Sequence, residues 1–240
     1  MVVLDLEDAV KPEAKEVAQR NVSEWLASGG RAAIRVNGSG SPWHGDDIGF
    51  VGSSGATAIM LPKAEHPSAI ESLGKLLPDS VPIIALIETA LGVWNAAEIA
   101  RVAQVSRLAF GCVDFQADCG VDDSHEALLY ARSRLVLASA SARKAPPIDG
   151  VTTRLDDFSL LESDIAYARS LGFGGKLCIH PAQVARVNAG FKPTAERLAW
   201  AERVMDAASD ESRGAITLDG ELIDFAVLER AKRLLDQAGD

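Results

Sequence analysis

A short apolar phrase, rich in valine, isoleucine and leucine, recurs along this chain and each time ends on a polar or charged side chain. The phrases are VVLDLED (to Asp8), AAIRVN (through Arg35 to Asn37), TAIMLPK (Lys63), PIIALIE (Glu88), RLAFGCVD (Asp114), PPIDG (Asp149) and GKLCIHP (His180). Most do not alternate between apolar and polar residues. Continuous runs of this length suit strands covered on both faces, the condition of a parallel sheet. Successive phrase ends, from Asp8 through Arg35, Lys63, Glu88 and Asp114 to Asp149, lie 27, 28, 25, 26 and 35 residues apart. Each interval holds one strand, one helix and two loops, the content of a βα unit.

The intervening segments read as helices. In KPEAKEVAQRNVSEWLASGG, Pro12 suits a first turn and Gly29 a C-terminal cap, with Val17, Val22, Trp25 and Leu26 as the apolar stripe. In SHEALLYARSRLVLASASARK, Ser124 is the expected N-cap. The stretch Asn37 to Asp47 reads as a loop by composition. Seven strand phrases are present, and a closed (β/α) barrel needs eight. The expected fold is therefore α/β, either an open sheet or a barrel without its first βα unit. After His180 the pattern changes to a helix, a hairpin signalled by Asp219-Gly220, and a terminal helix. This predicts a barrel domain over 1–190 and a tail or lid over 191–240.

Composition limits the partners. Lys plus Arg is 24 and Asp plus Glu is 34, a net charge of −10. Such a chain would repel a phosphate backbone, so no nucleic-acid partner is expected, although a local pocket can still hold a small anion. No apolar run reaches membrane-spanning length, and MVVLDLEDAV has no basic signal region, so a cytoplasmic location is expected. The three cysteines, Cys112, Cys119 and Cys178, form no C-x-x-C pair and read as small buried hydrophobes in a reducing compartment. GFGGK lacks the Ser or Thr of a phosphate loop, and the glycines of NGSGSPW do not form a dinucleotide fingerprint.

In parallel α/β proteins the chemistry lies at the C-terminal ends of the strands. Glu7, Asp8, Arg35, Lys63, Glu88 and Asp114 all fall there. Glu88 and Asp114 end consecutive apolar strands. Two carboxylates side by side repel unless a proton or a cation intervenes. A hard cation such as Mg²⁺, which takes one or two carboxylates plus water and substrate, fits them. The alternative pairs each with a lysine or arginine. Arg35, within an apolar strand, needs an anion: a substrate carboxylate, or a salt bridge to Glu7 or Asp8. Lys63, after Pro62 at a strand end, suits an ion pair or a phosphate contact ahead of a Schiff base. His180 reads as a pocket wall or a structural donor, and His44, His66 and His125 as surface residues. Asp224 reads from chemistry alone as the N-cap of the last helix.

VVLDLEDAV, AIRVN with a downstream PW…DD, IMLPKAE, ALIETALGV, FGCVDF and GKLCIHPAQV occur in this order along nearly the whole chain. Together they resemble the citrate lyase β-subunit-like branch of the HpcH/HpaI aldolase family. The resemblance implies a (β/α)₈ TIM barrel that lacks its first βα unit here, since a family strand reading roughly L-F-V-P-G and its helix are not found ahead of VVLDLED. It implies Mg²⁺ held by Glu88 and Asp114, with Arg35 on the substrate's carboxylate or keto oxygen. Glu7 and Asp8 would support the metal's waters and the substrate, and Lys63 and His180 would line the substrate pocket. DGELIDFAV resembles the tail motif of malyl- and citramalyl-thioester lyases, which makes Asp224 the catalytic carboxylate. The implied activity is carbon–carbon cleavage of a carboxylated 3-hydroxyacyl thioester into a keto acid and an acyl-coenzyme A, in a homotrimer or hexamer. Two rivals are a pyruvate-releasing aldolase and an inactive regulatory paralogue. The aldolase branch uses an early histidine as base, and none precedes His44.

Overall fold

A computed structural model describes residues 1–208 and 216–239. Seven strands form one parallel sheet in strictly sequential order: β1 (Val2–Asp5), β2 (Ala32–Arg35), β3 (Ala58–Leu61), β4 (Ile83–Ile87), β5 (Val105–Phe110), β6 (Ile148–Asp149) and β7 (Gly175–Lys176). All seven expected phrases pair, although the last two contribute only two residues each. The sheet curls. Val3 of β1 and Leu177, just past β7, pack on the same inner cluster of Ala33, Ala58, Met60, Ile84, Leu86, Ala109 and Ile148. These are alternate residues of each strand, which is how strands line the inside of a barrel. β1 and β7 do not pair with each other. This is an α/β fold of the TIM-barrel type with a curled parallel sheet.

Helices α1 (Lys15–Ala27), α2 (His44–Ser54), α3 (Pro67–Gly74), α4 (Ala90–Trp94), α5 (Ala96–Arg101), α6 (Cys112–Cys119), α7 (Leu129–Ser141) and α8 (Phe158–Leu171) fill the strand connections. Three local expectations change. The buried face of α1 is Lys15, Val22 and Leu26, whereas Val17 and Trp25 are half exposed. The expected apolar stripe thus carries a lysine in its core-facing register. His44 to Asp47 belongs to α2 rather than to a loop, with Asp46 and Asp47 in the first turn, where the helix dipole favours acids. Ser124 accepts the Ala127 N–H at 3.1 Å, yet α7 begins only at Leu129. Among the described residues, no helix is long and apolar enough to cross a membrane.

The chain divides into two compact units, residues 1–183 and 184–240, with the division inside α9 (Pro181–Phe191). In the second unit, α10 (Ala195–Ala208), the antiparallel pair β8 (Ile216–Leu218) and β9 (Glu221–Ile223), and α11 (Phe225–Gly239) surround a small core of Ala201, Val204, Ile223, Ala231 and Leu234. The hairpin turns on Asp219 (φ 53°) and Gly220 (φ 85°), two consecutive left-handed residues as its type requires.

Candidate active site

Strand register builds the centre of the site. β1 and β2 pair with Asp5 directly opposite Arg35, both on the inward-facing series. The pair is bidentate: Arg35 Nε donates to Asp5 Oδ1 at 2.7 Å and Nη2 to Oδ2 at 2.6 Å. Glu7 Oε2 lies 3.2 Å from Arg35 Nη1, without the geometry of a hydrogen bond, and is a buried oxygen with no hydrogen-bond donor. The partner of Arg35 is therefore chiefly Asp5, a residue not among the sequence candidates, with Glu7 second and exposed Asp8 near enough to act through its charge. A guanidinium has five donors, and at most three are engaged here, which leaves at least two for an incoming anion.

Glu7 is placed from behind by a buried lysine. Lys15 Nζ donates to the carbonyls of Leu6 (2.6 Å) and Glu7 (2.7 Å) and to Asn37 Oδ1 (2.7 Å). Asn37 Nδ2 donates to Leu6 O and Asp47 Oδ2, and His44 Nδ1 lies 2.7 Å from the Asn37 carbonyl. The PW…DD segment thus ties the ends of β1 and β2 together. The only sequence signal for Lys15 was its helical spacing from Val22.

Glu88 directly follows β4 and is 2% exposed. Its Oε1 accepts the Lys63 backbone N–H at 2.8 Å. Lys63 reaches that position in a left-handed conformation (φ 50°), a strained state of the kind that gathers at functional sites. The Lys63 side chain is half exposed, 4.0 Å from Glu7 Oε1. Asp114 is one turn further than expected: β5 stops at Phe110, and Asp114 lies exposed in the first turn of α6. Among the described residues neither Glu88 nor Asp114 forms an ion pair.

The charges interact. Burial raises the Glu88 carboxyl to about 7, helped by the negative charges of Asp114 and Glu7 and opposed by the Lys63 N–H and Arg35. Glu7 is likewise pushed up to about 7, by burial first and by Asp8 and Asp5, against the pull of Arg35 and Lys63. Burial also works against ionised Asp5, but the bonds from Arg35 and from the Glu7 and Ala9 N–H groups hold it below the usual range. Both raised groups bind more protons in the folded chain than in the unfolded one between about pH 4.5 and 7. Metal-free stability is expected to fall as pH rises through that window. The melting temperature measured with chelator at pH 5.5 and pH 8 checks this, and Glu88→Gln should flatten the slope. A slope identical in the variant would remove Glu88 as a contributor.

These donors fit Mg²⁺. Among the described residues no three His, Cys, Asp or Glu side chains converge on a metal position, so a thiolate- or imidazole-rich zinc centre has no basis here. Two carboxylates without cationic partners are what Mg²⁺ takes from a protein, with water and substrate completing the shell. Gly111 keeps the space open. A Cβ built there would overlap Glu88 Cβ and come within 2.6 Å of Glu88 Oε2. The Gly111 backbone (φ −89°, ψ 72°) has a negative φ, so the constraint is steric. Gly111→Ala is expected to weaken Mg²⁺ affinity by about 10–100-fold, the range seen when a ligand's supporting contacts change. Calorimetric titration checks it, and wild-type affinity in the variant would contradict it.

The remaining expected residues lie as follows. His180 is exposed, and its Nδ1 accepts the Ala182 N–H at 3.2 Å, so it caps α9 as an acceptor. Asp224, exposed in the second unit, caps α11 by accepting the Val227 N–H at 2.9 Å on Oδ1. His44 and His125 are half buried rather than on the surface; His125 pairs with Asp164 at 2.9 Å and stacks on Tyr167. Asp149, a strand-end acid like Glu88, is instead fully neutralised by Arg132 (2.8 Å) and Lys176 (3.2 Å).

The chain and its fold have counterparts among known proteins. The model of the HpcH/HpaI aldolase/citrate lyase family matches residues 1–181. The chain is 36% identical to a citrate lyase subunit beta-like protein of Deinococcus radiodurans, over 98% of this chain and 87% of that protein. It is 32% identical to a (3S)-malyl-CoA thioesterase of Cereibacter sphaeroides, over 99% and 86% of the two chains. Among solved structures, CitE from Mycobacterium tuberculosis in complex with magnesium, acetoacetate and coenzyme A shares a TM-score of 0.83 at 30% identity, covering 100% of this chain and 90% of that one. The chain belongs to the HpcH/HpaI aldolase/citrate lyase family.

Proposed function

We propose that this chain is a Mg²⁺-dependent lyase that cleaves a carboxylated 3-hydroxyacyl-coenzyme A of the citryl, malyl or citramalyl type into a keto acid and an acyl-coenzyme A. The observation that carries this reading is Glu88, a buried carboxylate that forms no ion pair among the described residues, beside Asp114 and under the field of Arg35. Glu88 and Asp114 would hold the ion. Bound Mg²⁺ supplies a Lewis acid for the substrate's hydroxyl and carboxylate oxygens.

The side chains supply the rest. The two spare donors of Arg35 bind the carboxylate that becomes part of the keto acid, and its fixed charge offsets negative charge growing there. Glu7, with a carboxyl that titrates near neutrality, holds or takes a proton at Oε2. Loss of the hydroxyl proton turns the C–O bond into a carbonyl, and the electron pair of the broken carbon–carbon bond passes to the thioester as its enolate. Asp224 in its acid form delivers a proton to that carbon, and the proton taken from the hydroxyl passes to solvent. Asp8 and Lys63 set the charge around Glu7, and His180 lines the approach. Residues 191–240 serve as a C-terminal tail or lid. The protein works in the cytoplasm as a homotrimer or hexamer on small molecules.

Incubation with malyl-, citramalyl- or citryl-coenzyme A and Mg²⁺ tests the assignment. Keto acid released without free thiol supports a lyase. Free coenzyme A thiol together with the intact hydroxy acid and no keto acid indicates hydrolysis instead, and pyruvate from a free hydroxy-keto acid indicates the aldolase. No product and no Mg²⁺ binding indicates an inactive paralogue.

A further inference from the structure

We propose that Lys15 is a positioning residue for the reaction: it fixes the backbone of Glu7, and through it the aim of the Glu7 carboxyl at Arg35. The role follows from the lyase reading above, in which Glu7 handles the substrate's proton. Among the described residues no hydrogen bond steers that carboxyl. Its Oε2 has no donor and lies 3.2 Å from Arg35 Nη1, and its Oε1 lies 4.0 Å from Lys63 Nζ. A buried carboxyl in that state takes its position from its main chain. Two of the bonds to that main chain are local. The Glu7 N–H donates to Asp5 Oδ1 at 2.9 Å, and the Glu7 carbonyl accepts the Val10 N–H at 3.0 Å. Both move with the loop. The third comes from Lys15 on α1, which donates to the same carbonyl at 2.7 Å.

The donors of Lys15 are all used. An ammonium has three N–H groups. Lys15 gives them to Leu6 O at 2.6 Å, to Glu7 O, and to Asn37 Oδ1 at 2.7 Å. Asn37 lies two residues past Arg35 and is itself held by Asp47 Oδ2, which accepts its backbone N–H at 2.9 Å and its Nδ2 at 2.6 Å. The Trp43 ring covers the ammonium, with its centroid 5.2 Å from Nζ. One buried cation thereby joins the strand end that carries Glu7 to the strand end that carries Arg35. It contacts the Glu7 carbonyl rather than the carboxyl, so it acts by placement. Arg35 has an anchor of its own in the bidentate bond to Asp5. Loss of Lys15 should therefore misplace the proton-handling group and leave the substrate's carboxylate site intact.

Lys15→Met tests this. The variant should fold, because Leu6 O keeps the Asn37 Nδ2 donor at 2.9 Å and Glu7 O keeps the Val10 N–H. With Mg²⁺ and whichever coenzyme A thioester the native chain cleaves, kcat is expected to fall about 10–100-fold while KM stays within about threefold of native. A second readout needs no activity. In metal-free protein labelled with carbon-13 at the glutamate carboxyls, the Glu7 signal is the one absent from Glu7→Gln. Burial is what pushes that carboxyl up to about 7, so in Lys15→Met it should titrate closer to the ordinary carboxylate range. Loss of a nearby cation alone would move it the other way. Asn37→Ala, which takes one acceptor from Lys15, should shift both readouts in the same direction by less, and it serves if Lys15→Met does not fold. A lower melting temperature with native kcat, KM and Glu7 titration would make Lys15 a structural residue only and overturn the proposal. A native chain that cleaves no thioester overturns the lyase reading, and the Glu7 titration then decides alone whether Lys15 places that carboxyl.

Discussion

Replacing Glu88 by glutamine is expected to lower Mg²⁺-dependent turnover by more than about 10³-fold, because the change removes a charged ligand from a shell in which the protein supplies only two. The variant should fold. Glutamine is isosteric, and its amide oxygen can still accept the Lys63 N–H that Glu88 accepts at 2.8 Å. Burial already holds the native carboxyl near half protonation at neutral pH, so a neutral side chain removes a desolvation cost. Stability equal to or above wild type is therefore expected alongside lost Mg²⁺ binding by calorimetry. Asp114→Asn should lose binding as well, with a smaller effect on stability because Asp114 is exposed. Lyase activity that survives both substitutions would remove the metal assignment. The design differs from Gly111→Ala, which leaves both ligands in place and displaces one. Combining Glu88→Ala with Gly111→Ala should recover only part of the stability lost to the clash, since the Glu88 carboxylate is then gone but its Cβ, the nearest colliding atom, remains.

Arg35→Ala is expected to reduce kcat/KM by about 10²–10³-fold, the usual consequence of losing one fixed charge-stabilising donor. Its structural effect is separate. Asp5 would lose a bidentate partner and Glu7 its nearest cation. Arg35→Lys separates the two roles: a lysine restores charge beside Asp5 and so most of the stability, but it cannot span both Asp5 oxygens and a substrate carboxylate at once. The rate should stay well below wild type in the lysine variant while the melting temperature recovers. An unchanged kcat/KM in Arg35→Ala would exclude substrate binding by this side chain and leave Arg35 as a structural counter-ion of Asp5.

The strands, their parallel order and the placing of polar residues at their ends could be read directly along the chain. Hydrophobic continuity and turn residues are local properties, set within a few positions of each other. The βα spacing carried the same information over longer stretches and gave all seven paired strands. The ordered motifs carried the family. Glu88 could be read in this way because it follows its strand directly.

Only the folded chain decided which charges meet. Asp5, Glu7 and Asp8 stand within four residues of one another, and nothing local selects the partner of Arg35; the β1–β2 register does, by setting Asp5 opposite it. Asp149 and Glu88 both read as acids at strand ends, yet Asp149 meets Arg132 and Lys176 from distant elements and is neutralised, whereas Glu88 accepts a backbone N–H, lies against a glycine, feels the charges of Asp114, Glu7 and Arg35, and forms no ion pair among the described residues. Lys15 shows the same limit from the other side, as a charged residue carried into the core by three acceptors, two at the end of β1 and one on Asn37. Periodicity records which face of an element is buried. The cost of burying a charge depends on atoms that arrive from elsewhere in the chain, and their positions are set by strand register and helix packing.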